Sequence, residues 1–128
     1  MHRTLVRAAI ALALAAGAVL ATACGSSNDA PADAKKLFFE LTDQGCTPSS
    51  AQAPAGPVVF EVENAGTSKV TEFEVLDGEE IVGEKEDLTE GLSGEFDLDL
   101  DPGKYTIYCP GGGTERGTLT VARVRGRE

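Results

Sequence analysis

Residues 69–84, KVTEFEVLDGEEIVGE, decide how this chain folds. Thr71, Phe73 and Val75 alternate with Glu72, Glu74 and Leu76, so a strand here buries one face and turns carboxylates outward on the other. Asp77-Gly78 is a strong hairpin signal, and Ile81-Val82 restarts an apolar run beyond it. Cys46 lies before this hairpin and Cys109 after it. If strands draw those ends together, Cys46, Glu72 and Cys109 form one small site.

The flanking sequence repeats the same pattern. Lys36–Leu41 reads as a first strand, and Thr42–Ser50 as a turn-rich loop that carries Cys46. Pro54 and Pro57 restrict Ala51–Ala55 to a short edge piece. Val58, Phe60 and Val62 share one face of the next strand. Beyond the hairpin, 87–94 reads as a loop crossing between sheets. Phe96, Leu98 and Leu100 then alternate with Glu95, Asp97 and Asp99. Asp101-Pro102-Gly103 turns the chain into a strand that carries Tyr105, Ile107 and Cys109 on one face. The last strand, 117–124, turns Leu119 and Val121 inward. Roughly eight short strands with no helix predict an all-β protein, a Greek-key antiparallel β-sandwich. A single sheet would leave its apolar face in water, so two must pack together. The expected core is Phe60, Val62, Phe73, Val75, Phe96, Leu98, Tyr105, Ile107, Leu119 and Val121.

The first residues follow a different logic. Arg3 and Arg7 precede an apolar run, Ala8–Leu20, of the length expected for the core of an export signal. Ala21-Thr22-Ala23 before Cys24 and Gly25-Ser26-Ser27 after it resemble the lipobox of bacterial lipoproteins, although Ala21 stands where leucine or valine is usual. The organisation read from the sequence is a lipoprotein signal peptide over 1–23 and a flexible tether over 24–35. A domain over 36–124 and a tail over 125–128 complete it. Cys24 is the expected lipidation site, holding the protein on the extracytoplasmic face of the cell membrane through its acyl chains.

Cleavage before Cys24 removes the only methionine, Met1, and the only histidine, His2. It also takes two of the 11 basic residues and none of the 21 acidic ones, leaving a net charge near −12. Such a chain repels phosphate backbones, which excludes nucleic acid as a partner class. No histidine base, nucleophile elbow or phosphate loop remains, since Pro110-Gly111-Gly112-Gly113 lacks the Lys-Ser/Thr that would follow. No catalytic residue is assigned, and the chain is read as a non-enzyme. A blue-copper centre needs two imidazoles and a thiolate, so none is expected here. Two thiolates and a carboxylate suit Cu(I), Cu(II) or Zn(II). The competing reading of the same cysteines is a disulfide, as exported thiols tend to oxidise. Closing so long a loop stabilises a fold by about 4 kcal/mol.

The ordered motifs DQGCTP (43–48), AGPVVFEVEN (55–64), VTEFEVLDG (70–78), EGLSGEFDLDLDPGKYTIYCPG (90–111) and RGTLTV (116–121) resemble the cupredoxin-like domain of the EfeO family. Members of that family are exported components of bacterial ferrous-iron uptake systems. The resemblance spans residues 36–122 and implies a sandwich of cupredoxin type in the cell envelope. It also implies a metal site at Cys46, Glu72 and Cys109, for copper or iron, and a metal-uptake permease or peroxidase as partner. Full-length members add a helical domain with a His-x-x-Glu metal motif. No counterpart stands in this sequence, so the resemblance implies a stand-alone relative of the small domain. The alternative function is a disulfide-stabilised structural or protein-binding lipoprotein that handles no metal.

Overall fold

The computed structural model describes residues 30–125. The expected signal peptide, Cys24, the first half of the expected tether and the last three residues lie outside that range.

Nine strands follow one another, and no helix occurs among the described residues. They are β1 (Lys35–Thr42), β2 (Gly45–Thr47), β3 (Ser50–Pro54), β4 (Gly56–Asn64), β5 (Phe73–Asp77), β6 (Glu80–Lys85), β7 (Ser93–Leu100), β8 (Gly103–Tyr108) and β9 (Arg116–Ala122). One sheet has the order β2-β1-β4-β7 and the other β3-β9-β8-β5-β6. The expected sandwich is present, but its sheets are mixed rather than wholly antiparallel. β1 pairs with β4 in parallel, and so does β3 with β9. The chain leaves the first sheet after β2, runs along the edge of the second as β3, and returns as β4. That detour lets β4 lie beside β1 in the same direction. β3 takes the edge position expected from Pro54, whereas Pro57 falls in β4, between β1 and β7.

The central hairpin forms with two shifts. Its strand starts at Phe73, because residues 65–72 are held as a loop. Its turn pivots on Gly78-Glu79 between the paired Asp77 and Glu80, with φ of 63° at Gly78. Glycine at the first central position is what a type II′ turn requires. A register shift opposite Val75/Leu76 leaves Val82 as an extra residue in β6.

The two sheets meet on phenylalanine. Phe39 and Phe73 have ring centroids 4.8 Å apart, and Phe60 lies 5.9 Å from Phe73. Phe96 stacks on Phe60 at 5.0 Å. Phe39, Phe60 and Phe73 are fully buried, with Val62, Val75, Ile107, Leu119 and Val121 around them. Phe96 and Leu98, expected in the core, are only half-buried, because β7 is an edge strand. They pack across Gly83 of β6, where any Cβ would collide with both side chains. Phe39, Leu41, Val58, Val70 and Leu88 are further core residues. Tyr105 keeps its ring inside while its hydroxyl donates to the Asp101 carbonyl at 2.9 Å.

Phe73 touches three other rings at the centre of this contact. Phe73→Ala is therefore expected to lower unfolding free energy by about 3–5 kcal/mol. Urea titration of the wild-type and variant domains measures it, and a loss under about 1 kcal/mol would mean that the ring is not buried.

Candidate functional site

Four connections converge at the pole where β1, β4 and β8 end. They are residues 43–49, 65–72, 86–92 and 109–115. Apart from the short β2 pairing, no regular ladder satisfies their backbone groups, so side chains and cross-loop bonds must do so. Asn64, 1% exposed at the end of β4, is the main such side chain. Its amide nitrogen donates to the carbonyls of Thr67 at 2.9 Å, Leu88 at 2.7 Å and Val70 at 3.3 Å. Its amide oxygen accepts from the backbone nitrogens of Gly66 at 2.9 Å and Thr67 at 2.8 Å. One buried side chain thus shapes the 65–72 loop and ties it to the 86–92 loop.

Thr67 passes the constraint on. Its hydroxyl donates to Asp43 Oδ1 at 2.6 Å, and Lys69 Nζ stands 3.7 Å from the other carboxylate oxygen. The hydroxyl first, and the ammonium second, hold the Asp43 carboxyl below its ordinary value. The glycine loop then lies on the 43–49 loop. Gly113 N donates to Asp43 O at 3.0 Å, and Thr114 N to Gln44 O at 2.8 Å. Gly45 has φ of 119°, and a Cβ there would strike the Thr114 carbonyl. A Cβ on Gly112 would strike the Gly45 backbone in turn. These glycines allow two backbones to approach within contact distance.

That approach brings the cysteines together. Cys46 sits in β2, paired through Leu41 of β1, and Cys109 follows β8 with its nitrogen donating to Glu115 O at 2.7 Å. Their Cα atoms are 5.9 Å apart across a sequence separation of 63, and a disulfide joins them. Of the two readings of this pair, the structure contains the disulfide. Cys109 is fully buried in the core cluster, whereas Cys46 is partly exposed.

Glu72 ends the 65–72 loop, half-buried, immediately before β5. The β5–β8 register pairs Glu74 with Tyr108 and Val75 with Ile107. Continued toward the pole, it sets the inward Phe73 beside Cys109. Glu72, one residue earlier, is near enough to Glu74 for its charge to act on that carboxyl. Among the described residues no three His, Cys, Asp or Glu side chains are grouped to hold a metal. The bridge joins two of the expected three residues, Cys46 and Cys109. The sequence does not mark the role of Asn64 at the pole. A polar residue ending the apolar run of β4 was the only available signal.

The outer face carries a charge cluster instead. Glu74 lies directly opposite Glu84, and on its other side opposite Tyr108, whose ring is covered by the Arg116 guanidinium at 4.7 Å. Partial burial first, then the charges of Glu72, Glu84 and Glu86, push the Glu74 carboxyl above its ordinary 4.5. A raised value favours the protonated form in the folded state, so the penalty is absent below about pH 4.5 and sets in as pH rises through the raised value. Glu74→Gln is accordingly expected to stabilise the domain at pH 7 by a few tenths of a kcal/mol, within the ~0.2–1 kcal/mol typical of cross-strand charge pairs. The gain should vanish by about pH 4. Denaturation midpoints at both pH values test this; an equal gain at both would assign it to packing.

A family model described as the cupredoxin-like domain matches residues 12–121. The iron uptake system component EfeO of Yersinia pseudotuberculosis is 33% identical over 121 residues, 94% of this chain and 30% of the relative. The Escherichia coli EfeO is 32% identical over 78 residues, 61% of this chain and 20% of the relative. The chain thus spans less than a third of the length of these relatives. Among solved structures, auracyanin from Roseiflexus castenholzii superposes with a TM-score of 0.59 at 16% identity, covering 70% of this chain and 98% of that one. That similarity concerns the fold. The nine-strand sandwich and the matched sequence agree: the chain belongs to the cupredoxin-like domain family, in its EfeO type.

Proposed function

We propose that this protein works in metal uptake at the cell envelope, as an exported lipoprotein whose cupredoxin-like domain handles iron or copper as cargo. The observation that carries the reading is the pairing of Cys46 and Cys109 at one pole, in a domain of the EfeO type. The bridged pair offers no thiolate. Opened by reduction, the same two positions present two thiolates 5.9 Å apart at Cα, donors suited to a thiophilic ion. Glu72, in the loop before β5, contributes less than either cysteine. A metal-uptake permease or peroxidase is the partner class consistent with this role. The bridge itself favours a second reading: a disulfide-stabilised, protein-binding lipoprotein that handles no metal.

Metal titration separates the two. Bridged protein should bind no Cu(I), Zn(II) or Fe(II) at one-to-one stoichiometry, and anaerobically reduced protein should bind one thiophilic ion. Cys46→Ser or Cys109→Ser should weaken that binding by roughly tenfold or more, and Glu72→Gln by less. A reduced, folded protein that binds none of the three would leave the metal-free reading.

Anchoring through Cys24 has its own check. Intact mass spectrometry of protein from membranes should show a diacylglyceryl-modified N-terminus at Cys24. An unmodified or uncleaved N-terminus would remove the lipid anchor from the proposal.

A further inference from the structure

The two sulfurs of the bridge are not equivalent. Cys109 is 0% exposed and belongs to the core cluster, set beside Phe73 by the strand register. Cys46 is partly exposed and lines a surface groove with Gln44, Thr47, Pro48, Ser49 and Thr114. We propose that the bridge is opened from this groove: a thiolate partner, a dithiol of the envelope, exchanges with it at Cys46 and never at Cys109.

The chemistry balances without a further reagent. The incoming thiolate bonds to Cys46 Sγ, and the Cys46–Cys109 bond breaks. Its electron pair leaves on Cys109 Sγ, which takes up a proton. The partner's second thiol then attacks its own sulfur in the mixed disulfide, leaves as the partner's disulfide and releases Cys46. The dithiol is oxidised by two electrons and the bridge is reduced by two.

Environment decides the direction. Attack needs access to the sulfur struck, and Cys46 is the partly exposed residue of the pair while Cys109 is fully buried. The cross-loop bonds from Gly113 and Thr114 to the 43–44 backbone do not involve sulfur, so the pole keeps its shape while the bridge is open. This deepens the reading above, which requires the bridge to open in the folded protein.

The test uses the wild-type protein, folded and free of metal. It is exposed to reduced glutathione, acid-quenched at short times and digested, and the mixed disulfide is located by peptide mass. Glutathione should appear on Cys46 in at least about tenfold excess over Cys109. The same reaction in denaturant should label both comparably. Equal labelling while folded, labelling on Cys109, or no adduct before the protein unfolds would each overturn the proposal. Because no metal enters this assay, its failure leaves the metal titration of chemically reduced protein to be judged separately.

Discussion

The structure depends on one contact, the closure of two sheets over phenylalanine. Four of the five phenylalanines meet there, Phe39 and Phe60 from the first sheet with Phe96, and Phe73 from the second. Each sheet turns an apolar inner face to the other, so neither could exist alone. Phe73 has a second consequence. It opens the one strand whose next partner position is Cys109, and so the burial of the core and the burial of one sulfur are the same event.

Closing the sandwich leaves a harder problem at its pole, where four loops must stop without regular pairing. Asn64 solves most of it with five hydrogen bonds from one buried amide. Thr67, Asp43 and the glycine loop extend that order across the pole, and the disulfide closes it. The 43–49 and 109–115 loops are thus joined twice, by backbone bonds and by sulfur. Such redundancy separates the bridge's chemistry from the integrity of the loops, and this separation allows a redox step at Cys46 to be considered at all. In contrast, the outer face around Glu74 gains nothing from its neighbours. In-register carboxylates repel, and only the Arg116 guanidinium beyond Tyr108 offsets them.

Much of this was legible in the chain. The alternation through Phe73 and Val75, Phe60 and Val62, and Ile107 and Leu119 marks inward faces because a strand allows only two directions for a side chain. Pro54 marked an edge because proline cannot donate to a second neighbour. The parallel pairings β1–β4 and β3–β9 were not legible, since a strand's own sequence does not say which way its neighbour runs. The start of β5 was misplaced for a related reason. Lys69–Glu72 alternates like a strand, but Asn64, five residues upstream, claims the backbone there for a loop.

For the candidate site, the sequence by itself determined the chemistry on offer: two cysteines in the domain, a surplus of carboxylates, and neither imidazole nor thioether beyond the first two residues. Only the tertiary structure decided that Cys46 and Cys109, 63 residues apart, lie within bonding reach. It also decided that one sulfur is sealed in the core and the other borders a groove. Proximity and burial arise from the packing of whole sheets. No local pattern of residues encodes which loop will close over which sulfur.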